Sequence, residues 1–255
     1  MSLFDEAPGG TSRLRMVVAY DGTGFHGFAP QPNVRTVGGA LGKALEKVLR
    51  HPVDVTCAGR TDAGVHAWGQ VVSLDCDPGV DPWRLQGSLN GMLGPEIVIR
   101  SCEVVGAGFD ARFSAQWRAY RYTVVNRPVP DPFLARYAWW VPQRLEFPAM
   151  ELAADPFVGE HDFASFCRAG PEGSTTVRTV LESRWVDVGD GVLRYEIRAA
   201  AFCWQMVRSV VGTLVDVGTG ARRAGDVMAM LRAKDRSAAG RVAPPHGLSL
   251  WKVGY

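Results

Sequence analysis

Long apolar runs, paired cysteines and paired histidines are all missing from this sequence of 255 residues. No hydrophobic run reaches the roughly 18 residues that a membrane-spanning helix needs. The N-terminal residues also lack the basic start and apolar stretch of a signal peptide, so we expect residues 1–12 to form a disordered lead-in. These absences, with an ordinary 47% of hydrophobic and 21% of charged residues, favour a globular cytoplasmic protein.

The residue types that hold metals and nucleotides are equally sparse. The five cysteines are an odd number with irregular spacing, and neither a CxxC nor an HxxxH pair occurs. A disulfide framework and a zinc site are therefore not indicated. The sequence also has no GxxxxGKS or GxxxxGKT loop of the kind that binds nucleotide phosphates. We predict chemistry that uses no metal and no cofactor.

One glycine-rich motif imitates a dinucleotide-binding turn. Residues Gly22 to Gly27 match GxGxxG and follow a predicted strand over residues 13–20. In a dinucleotide-binding unit, a helix begins within this motif and places its N-terminus on the pyrophosphate. Here Pro30 and Pro32 follow at once, and proline interrupts a helix. We therefore reject this interpretation.

Hydrophobic periodicity predicts strands that cluster between helices without a regular βαβ rhythm. The predicted strands span residues 13–20, 53–57, 70–74, 96–105, 116–126, 137–141, 176–188, 192–201 and 248–253. The predicted helices span residues 37–49, 82–93, 148–157, 202–217 and 225–233, the first two capped by Thr36 and Asp81. This order favours an α+β fold with largely antiparallel or mixed sheets and flanking helices. We expect two halves, residues 13–115 and 116–255.

Basic residues are concentrated in two blocks, although the net charge is only +2. Residues 112–144 contain arginines and aromatic residues with a single acid, Asp131, and residues 222–241 form a second basic block. Arginines neutralise phosphates and aromatic rings stack on unpaired bases, so this mixture suits RNA. The alternative is a solvated basic surface over core aromatics.

The most informative segment is the run CAGRTDAGVHA over residues 57–67. It places Arg60 next to Asp62, and a neighbouring guanidinium favours the ionised form of a carboxylate. Gly59 and Gly64 allow a sharp turn and the close approach of a ligand. The segment therefore presents Asp62 to a ligand, unless it is only a hairpin turn with a capping aspartate.

Five motifs occur in an order that resembles a known family. They are YDGTGFHG, GRTDAGVHA, HDF-SF, MVR-VVG and the terminal GLSL--V-Y, and they extend over about residues 16–255. Together they resemble the bacterial tRNA pseudouridine synthases of the TruA family. The resemblance implies a pseudouridine synthase fold around a central basic cleft. It also implies a homodimer that binds tRNA and isomerises uridine at positions 38–40 of the anticodon stem-loop, without metal or cofactor.

The resemblance also implies roles for five residues. Asp62 matches the catalytic aspartate that acts as nucleophile, and Arg60 matches the arginine that displaces the target base and contacts phosphate. Tyr120 matches the tyrosine that stacks on uracil, Arg208 the basic residue that pairs with the aspartate, and Leu248 the apolar wall of the base pocket. Attack of Asp62 on C1′, attack on C6, and removal of the 2′ proton all remain open.

Without the resemblance, the residue types leave simpler interpretations open. Arg208 could lie on a helix surface, Leu248 in an ordinary core, and Tyr120 on a sheet. Two other functions also remain: a non-catalytic RNA-binding module, and a phosphate-ester enzyme in which Asp62 accepts a phosphoryl group. The sequence departs from the family pattern at Phe28-Ala29, at Gly38 and at Gln205, which bears on contacts with RNA.

Overall fold

The computed structural model describes residues 10–168, 170 and 174–255, so residues 1–9 of the expected lead-in lie outside the described residues. The described helices are α1 (Val37–Leu49), α2 (Pro82–Leu93), α3 (Phe147–Ala154), α4 (Met206–Gly218) and α5 (Val227–Ala233). The strands are β1 (Ser12–Tyr20), β2 (Thr56–Cys57), β3 (His66–Cys76), β4 (Ile97–Val105), β5 (Trp117–Val125), β6 (Trp139–Trp140), β7 (Gly159–Asp162), β8 (Val177–Gly189), β9 (Val192–Ala199) and β10 (Leu248–Gly254). Short 3₁₀ turns complete several of the connections.

All ten strands belong to one mixed sheet with the order β4-β1-β3-β10-β5-β9-β8-β7, to which β2 adds beside β3 and β6 beside β5. Most neighbours are antiparallel, whereas β10 runs parallel to β3 and β6 runs parallel to β5. The C-terminal strand β10 lies between β3 and β5, and it therefore joins the strands of residues 13–115 to those of residues 116–255. The expected α+β class is confirmed.

Residues alternate along β1, β5 and β9 between buried and partly exposed positions, so the sheet has a buried face and a partly exposed face. In β1, Leu14, Met16 and Val18 are fully buried, while the intervening Arg13 and Arg15 pair with acids on the neighbouring strands β3 and β4. This alternation follows from the two-residue period of a strand. α1 and α2 pack together near β4, and α3 packs against α4 and β8.

Both predicted helix caps are present. Thr36 Oγ1 accepts a hydrogen bond from the Gly39 N–H at 3.2 Å, at the start of α1. Asp81 Oδ1 accepts one from the Trp83 N–H at 2.9 Å, and Pro82 occupies the first turn of α2. Such side chains satisfy amide groups that the first turn of a helix leaves unpaired.

Several predicted boundaries were wrong. The helix predicted from residue 202 begins only at Met206, because Gln205 before it has a left-handed backbone with φ of 62°. The strand predicted over residues 53–57 is reduced to Thr56–Cys57. Strand β7, which the periodicity did not predict, forms because β8 supplies its hydrogen-bond partners from a later part of the chain.

Among the described residues, no helix is both long and apolar enough to cross a membrane. The same residues contain no group of three or more His, Cys, Asp or Glu side chains that could hold a metal ion. All five cysteines are free thiols.

Candidate active site

Asp62 lies on the loop between β2 and β3, and two side chains from the N-terminal end of α4 reach its carboxylate. Arg208 Nη1 lies 3.4 Å from Asp62 Oδ2. The Trp204 indole Nε1–H donates to Asp62 Oδ1 at 3.0 Å. Arg208 is itself anchored, since its Nε–H donates to the Ala243 carbonyl at 2.8 Å. The Asp62 carboxylate is therefore held from both oxygens by one end of a helix.

Tyr120 lies on β5 close to this carboxylate. Its side chain is only 9% exposed, and its ring meets Phe202 edge to face, with ring centroids 4.9 Å apart. Burial raises the pKa of Tyr120 above its ordinary value, and the negative charge of Asp62 raises it further. Tyr120 is therefore a neutral phenol at physiological pH and offers an uncharged aromatic surface.

Leu248 begins β10, where it lies opposite Tyr122 of β5 and is 6% exposed. The Tyr122 hydroxyl donates to the carbonyl of Pro244 at 2.8 Å, and this bond holds the segment that leads to Leu248. Leu248 is thus part of the core beside the site, and its contact with a substrate stays a prediction.

Arg60 differs from the other predicted site residues because it is exposed. Among the described residues it takes part in no hydrogen bond and no ion pair, although its charge acts on the nearby Cys57 thiol. Its guanidinium is therefore available to a ligand outside the protein.

Buried neutral side chains brace the loop that carries Asp62. Gln70 is fully buried, and its amide bonds Gly59 twice: Nε2–H donates to the Gly59 carbonyl at 2.6 Å, and Oε1 accepts from the Gly59 N–H at 3.4 Å. The hydroxyls of Tyr20 and Thr61 are hydrogen-bonded at 2.7 Å. Satisfied polar groups inside a protein restrict a segment to one conformation.

Arg118 holds the start of the same loop through backbone carbonyls. Its Nε and Nη2 groups donate to the Ala58 carbonyl at 3.2 and 2.9 Å. Its remaining N–H groups reach the carbonyls of Arg112, Ala115 and Ala200 at 2.7, 3.2 and 2.9 Å. All five N–H groups of a guanidinium are therefore used. Burial lowers the pKa of Arg118 from its ordinary value.

The glycine-rich motif after β1 packs against the loop that carries Asp62. A Cβ on Gly22 would collide with the Val65 carbonyl, and a Cβ on Gly27 would lie 2.7 Å from the Thr61 carbonyl. Gly27 also has φ of +90°, a left-handed conformation that favours glycine. The glycines of this motif therefore allow two loops to lie in contact.

His66 is the first residue of β3, directly after the loop that carries Asp62, and its side chain contacts three other segments. Its Nδ1 accepts from the Gly22 N–H at 3.0 Å and lies 3.2 Å from Asp21 Oδ1. Its Nε2 lies 3.0 and 3.1 Å from the carbonyls of Arg136 and His246, so we place the proton on Nε2. Burial lowers the pKa of His66, and Asp21 opposes this effect only in part.

The basic block over residues 112–144 does not form a single surface. Arg121 pairs with Glu196 at 2.8 Å on the partly exposed face of the sheet. Arg127 pairs with Asp131 at 3.0 Å and with Asp190 at 2.6 Å. Together with Arg118, three of the six arginines of the block therefore have partners within the fold, whereas Arg112, Arg136 and Arg144 are exposed.

Sequence reasoning identified Asp62, Arg60, Tyr120, Arg208 and Leu248 as site residues, and the structure brings Arg208 and Tyr120 to Asp62. It did not identify the residues that position the loop: Tyr20, His66, Gln70, Arg118 and Trp204. Two signals were present. Gln70 is a polar residue in a valine-rich strand, and the helix predicted from residue 202 would place Trp204 one turn before Arg208, although the helix that forms begins only at Met206.

The comparisons with known proteins agree with this geometry. The family model for tRNA pseudouridine synthase matches residues 16–114 and 153–255. The tRNA pseudouridine synthase A of Brevibacillus brevis is 46% identical over 245 residues, which cover 95% of this chain and 99% of the relative. That of Pseudothermotoga lettingae is 41% identical over 243 residues, with the same two coverages, 95% and 99%. A chain in the crystal structure of a Cbf5-Nop10-Gar1 complex is a weak match, with a TM-score of 0.37 and 11% identity, and this chain spans 49% of its length.

An isomerase that rearranges uridine in RNA is the class of protein that these matches define. The chain belongs to the tRNA pseudouridine synthase family, which matches it over most of its length. The α+β fold is accordingly the pseudouridine synthase fold.

Proposed function

We propose that this protein converts uridine to pseudouridine in the anticodon stem-loop of tRNA, at positions 38–40, with Asp62 as the nucleophile. The observation that carries the proposal is the position of the Asp62 carboxylate. It lies 3.4 Å from the Arg208 guanidinium, beside the buried phenol of Tyr120 and two residues from the unpaired Arg60. A carboxylate next to a guanidinium stays ionised when a substrate excludes water.

The chemistry requires no net oxidation or reduction. The C1′–N1 bond breaks, the free uracil turns, C1′ joins C5, the C5 proton leaves to water, and N1 takes up a proton, so the product is an isomer of the substrate. Covalent attack by a carboxylate divides a difficult step of this kind into two easier ones. Asp62 performs this attack at C1′ or at C6, or instead removes the 2′ proton.

The target uridine must leave the base stack before Asp62 can reach it. Enzymes that act on a base flip it into a pocket with aromatic and apolar walls. In this proposal the Tyr120 ring stacks on uracil and Leu248 forms the apolar wall. Arg60, which is exposed, displaces the base and contacts the phosphate backbone.

We also propose that residues 13–115 and 116–255 act as one catalytic unit. Asp62 comes from the first part, whereas Tyr120, Arg208 and Leu248 come from the second. Strand β10 lies between β3 and β5, and this insertion supports a site that is complete only when both parts are present.

A homodimer with tRNA crossing both subunits completes the proposal, and we place it in the cytoplasm with its tRNA substrate. The relatives named tRNA pseudouridine synthase A support the substrate class. Light scattering during size-exclusion chromatography should give twice the chain mass of 27.7 kDa. A monomer that still modifies tRNA would contradict the dimer but not the reaction.

Release of tritium from uracil C5 tests the reaction directly. Unmodified tRNA labelled at C5 should lose tritium to water with the wild type, and Asp62→Asn should abolish the release. Asp77→Asn, an exposed aspartate outside the site, is the matched control and should retain activity. Binding of tRNA without any release by the wild type would leave only an RNA-binding module, and phosphate release without tritium release would indicate a phosphate-ester enzyme.

The variant Arg60→Ala distinguishes a role in displacing the target base from a role in anchoring the tRNA phosphate backbone. We expect turnover to fall much more than tRNA affinity, because in this proposal the Arg60 guanidinium acts when the uridine has left the base stack. The control is Arg84→Ala, which removes an exposed arginine of α2. An equal loss of affinity and turnover would show that Arg60 mainly anchors phosphate.

A further inference from the structure

Among the described residues, the shortest hydrogen bond to the Asp62 side chain comes from Trp204 and not from Arg208. The Trp204 indole Nε1 lies 3.0 Å from Asp62 Oδ1, within the usual range for an N–H···O hydrogen bond. Arg208 Nη1 donates to Asp62 Oδ2 over a longer distance, 3.4 Å. The two donors therefore differ: Arg208 brings a positive charge with a long hydrogen bond, and Trp204 brings a neutral N–H at a shorter distance.

The Trp204 ring is held in place although 47% of the residue is exposed. The Arg168 guanidinium lies over the ring, 4.3 Å from its centroid. The backbone N–H of Arg168 donates to the backbone carbonyl of Trp204 at 2.9 Å. Directly after it, Gln205 has φ of 62° and immediately precedes α4. The indole is thus fixed from its face and from its backbone.

We propose that Trp204 is a positioning residue that orients the Asp62 carboxylate for attack on the flipped uridine; this inference rests on the proposed role of Asp62. A carboxylate offers about four lone-pair sites. Trp204 occupies one on Oδ1 and Arg208 one on Oδ2, and within the described residues no other group donates to this side chain. One site on each oxygen stays available to the substrate.

Trp204→Phe tests the proposal because phenylalanine keeps an aromatic ring under Arg168 but has no N–H. With enzyme in saturating excess over C5-tritiated tRNA, the single-turnover rate should fall about 10-fold, the effect of losing one hydrogen bond to a charged group. The dissociation constant for tRNA, measured by filter binding, should stay within about twofold of the wild type. Trp83→Phe is the matched control, since Trp83 is 79% exposed on α2, and it should leave both quantities unchanged.

A second pair of variants isolates the donor from the ring. Trp204→Gln and Trp204→Leu remove the same aromatic surface, and only glutamine retains an N–H group. We expect the glutamine variant to be several-fold faster than the leucine variant at equal tRNA affinity. This split between rate and affinity would not arise from a merely structural role, and thermal melting of each variant checks the fold.

The outcomes are distinguishable from those that test the proposed function. Absence of tritium release by the wild type would refute the reaction itself. A wild type that is active with Trp204→Phe equally active would overturn the positioning role alone. Loss of affinity in the same proportion as rate would also overturn it, because Trp204 would then be a contact for RNA.

Discussion

Arginines on the two faces of the sheet are used in different ways. On the partly exposed face, Arg121 and Arg184 pair with Glu196 at 2.8 and 2.7 Å. On the other face, Arg118 donates only to backbone carbonyls, and Arg208 contacts a single carboxylate that the proposed reaction uses.

This difference indicates what each set of arginines contributes, the set around Glu196 to stability and the set around Asp62 to the site. Burial opposes ionisation of Glu196, but its hydrogen bond from Arg184 and the charges of Arg121 and Arg194 outweigh that effect and lower its pKa. The Arg184 side chain is 59% exposed and that of Glu196 is 14% exposed, and ion pairs that stay open to solvent on one side typically contribute about 1 kcal/mol or less each to stability. The arginines of the site act instead on position and charge within one loop, and their effect should appear in turnover.

Arg118→Met should give the largest effect. It removes the donors that hold the Ala58 carbonyl and leaves several carbonyls without partners, so the loop that carries Asp62 loses its brace. We expect turnover to fall about 100-fold, equivalent to about 2.7 kcal/mol of transition-state stabilisation. Arg121→Met on the same strand is the matched control. Equal losses for the two variants in the tritium assay would refute the distinction between the two faces.

Gln70→Leu should lower the free energy of unfolding by about 2 kcal/mol, because the buried N–H and carbonyl of Gly59 lose their partner. Urea denaturation measures this change, with the exposed Gln31→Leu as control. Turnover should fall together with stability, since Gly59 adjoins Arg60. A fully stable Gln70→Leu variant would show that the loop does not depend on this brace.

The free energy of unfolding should be lower at pH 5 than at pH 7. The decrease should be smaller than the one expected for Gln70→Leu. His66 has a lowered pKa in the folded state because it is buried, and His246 shifts in the same direction for the same reason. Below the ordinary histidine pKa of about 6.5, the unfolded chain therefore binds more protons than the folded one, and the free energy of unfolding decreases. Urea denaturation across this range should show a shallower slope for His66→Gln, and an unchanged slope would contradict the assignment.

Glu196→Gln should give the smallest effect. It removes ion pairs on the partly exposed face, so the free energy of unfolding should change by only about 1 kcal/mol, and by less in 1 M salt. Tritium release should match the wild type. A marked loss of turnover would show that this face contributes to the reaction.

Local features were predicted well from the sequence. The caps Thr36 and Asp81 act within one helical turn, so their effect depends on neighbours that the sequence displays directly. Asp62 was predicted as a site residue because its loop motif is contiguous in the sequence. Strand β7 was missed because its partner β8 begins 15 residues after it, at Val177.

The sequence by itself determined the alternation of β1, the helix caps and the loop that carries Asp62, since each depends on side chains within a few residues. Only the tertiary structure decided what surrounds Asp62. Trp204 lies 142 residues away, and the brace from Arg118 to Ala58 joins residues 60 apart. These contacts exist because β10 brings β3 beside β5 in one sheet. Their geometry depends on packing between distant segments, which no local pattern specifies.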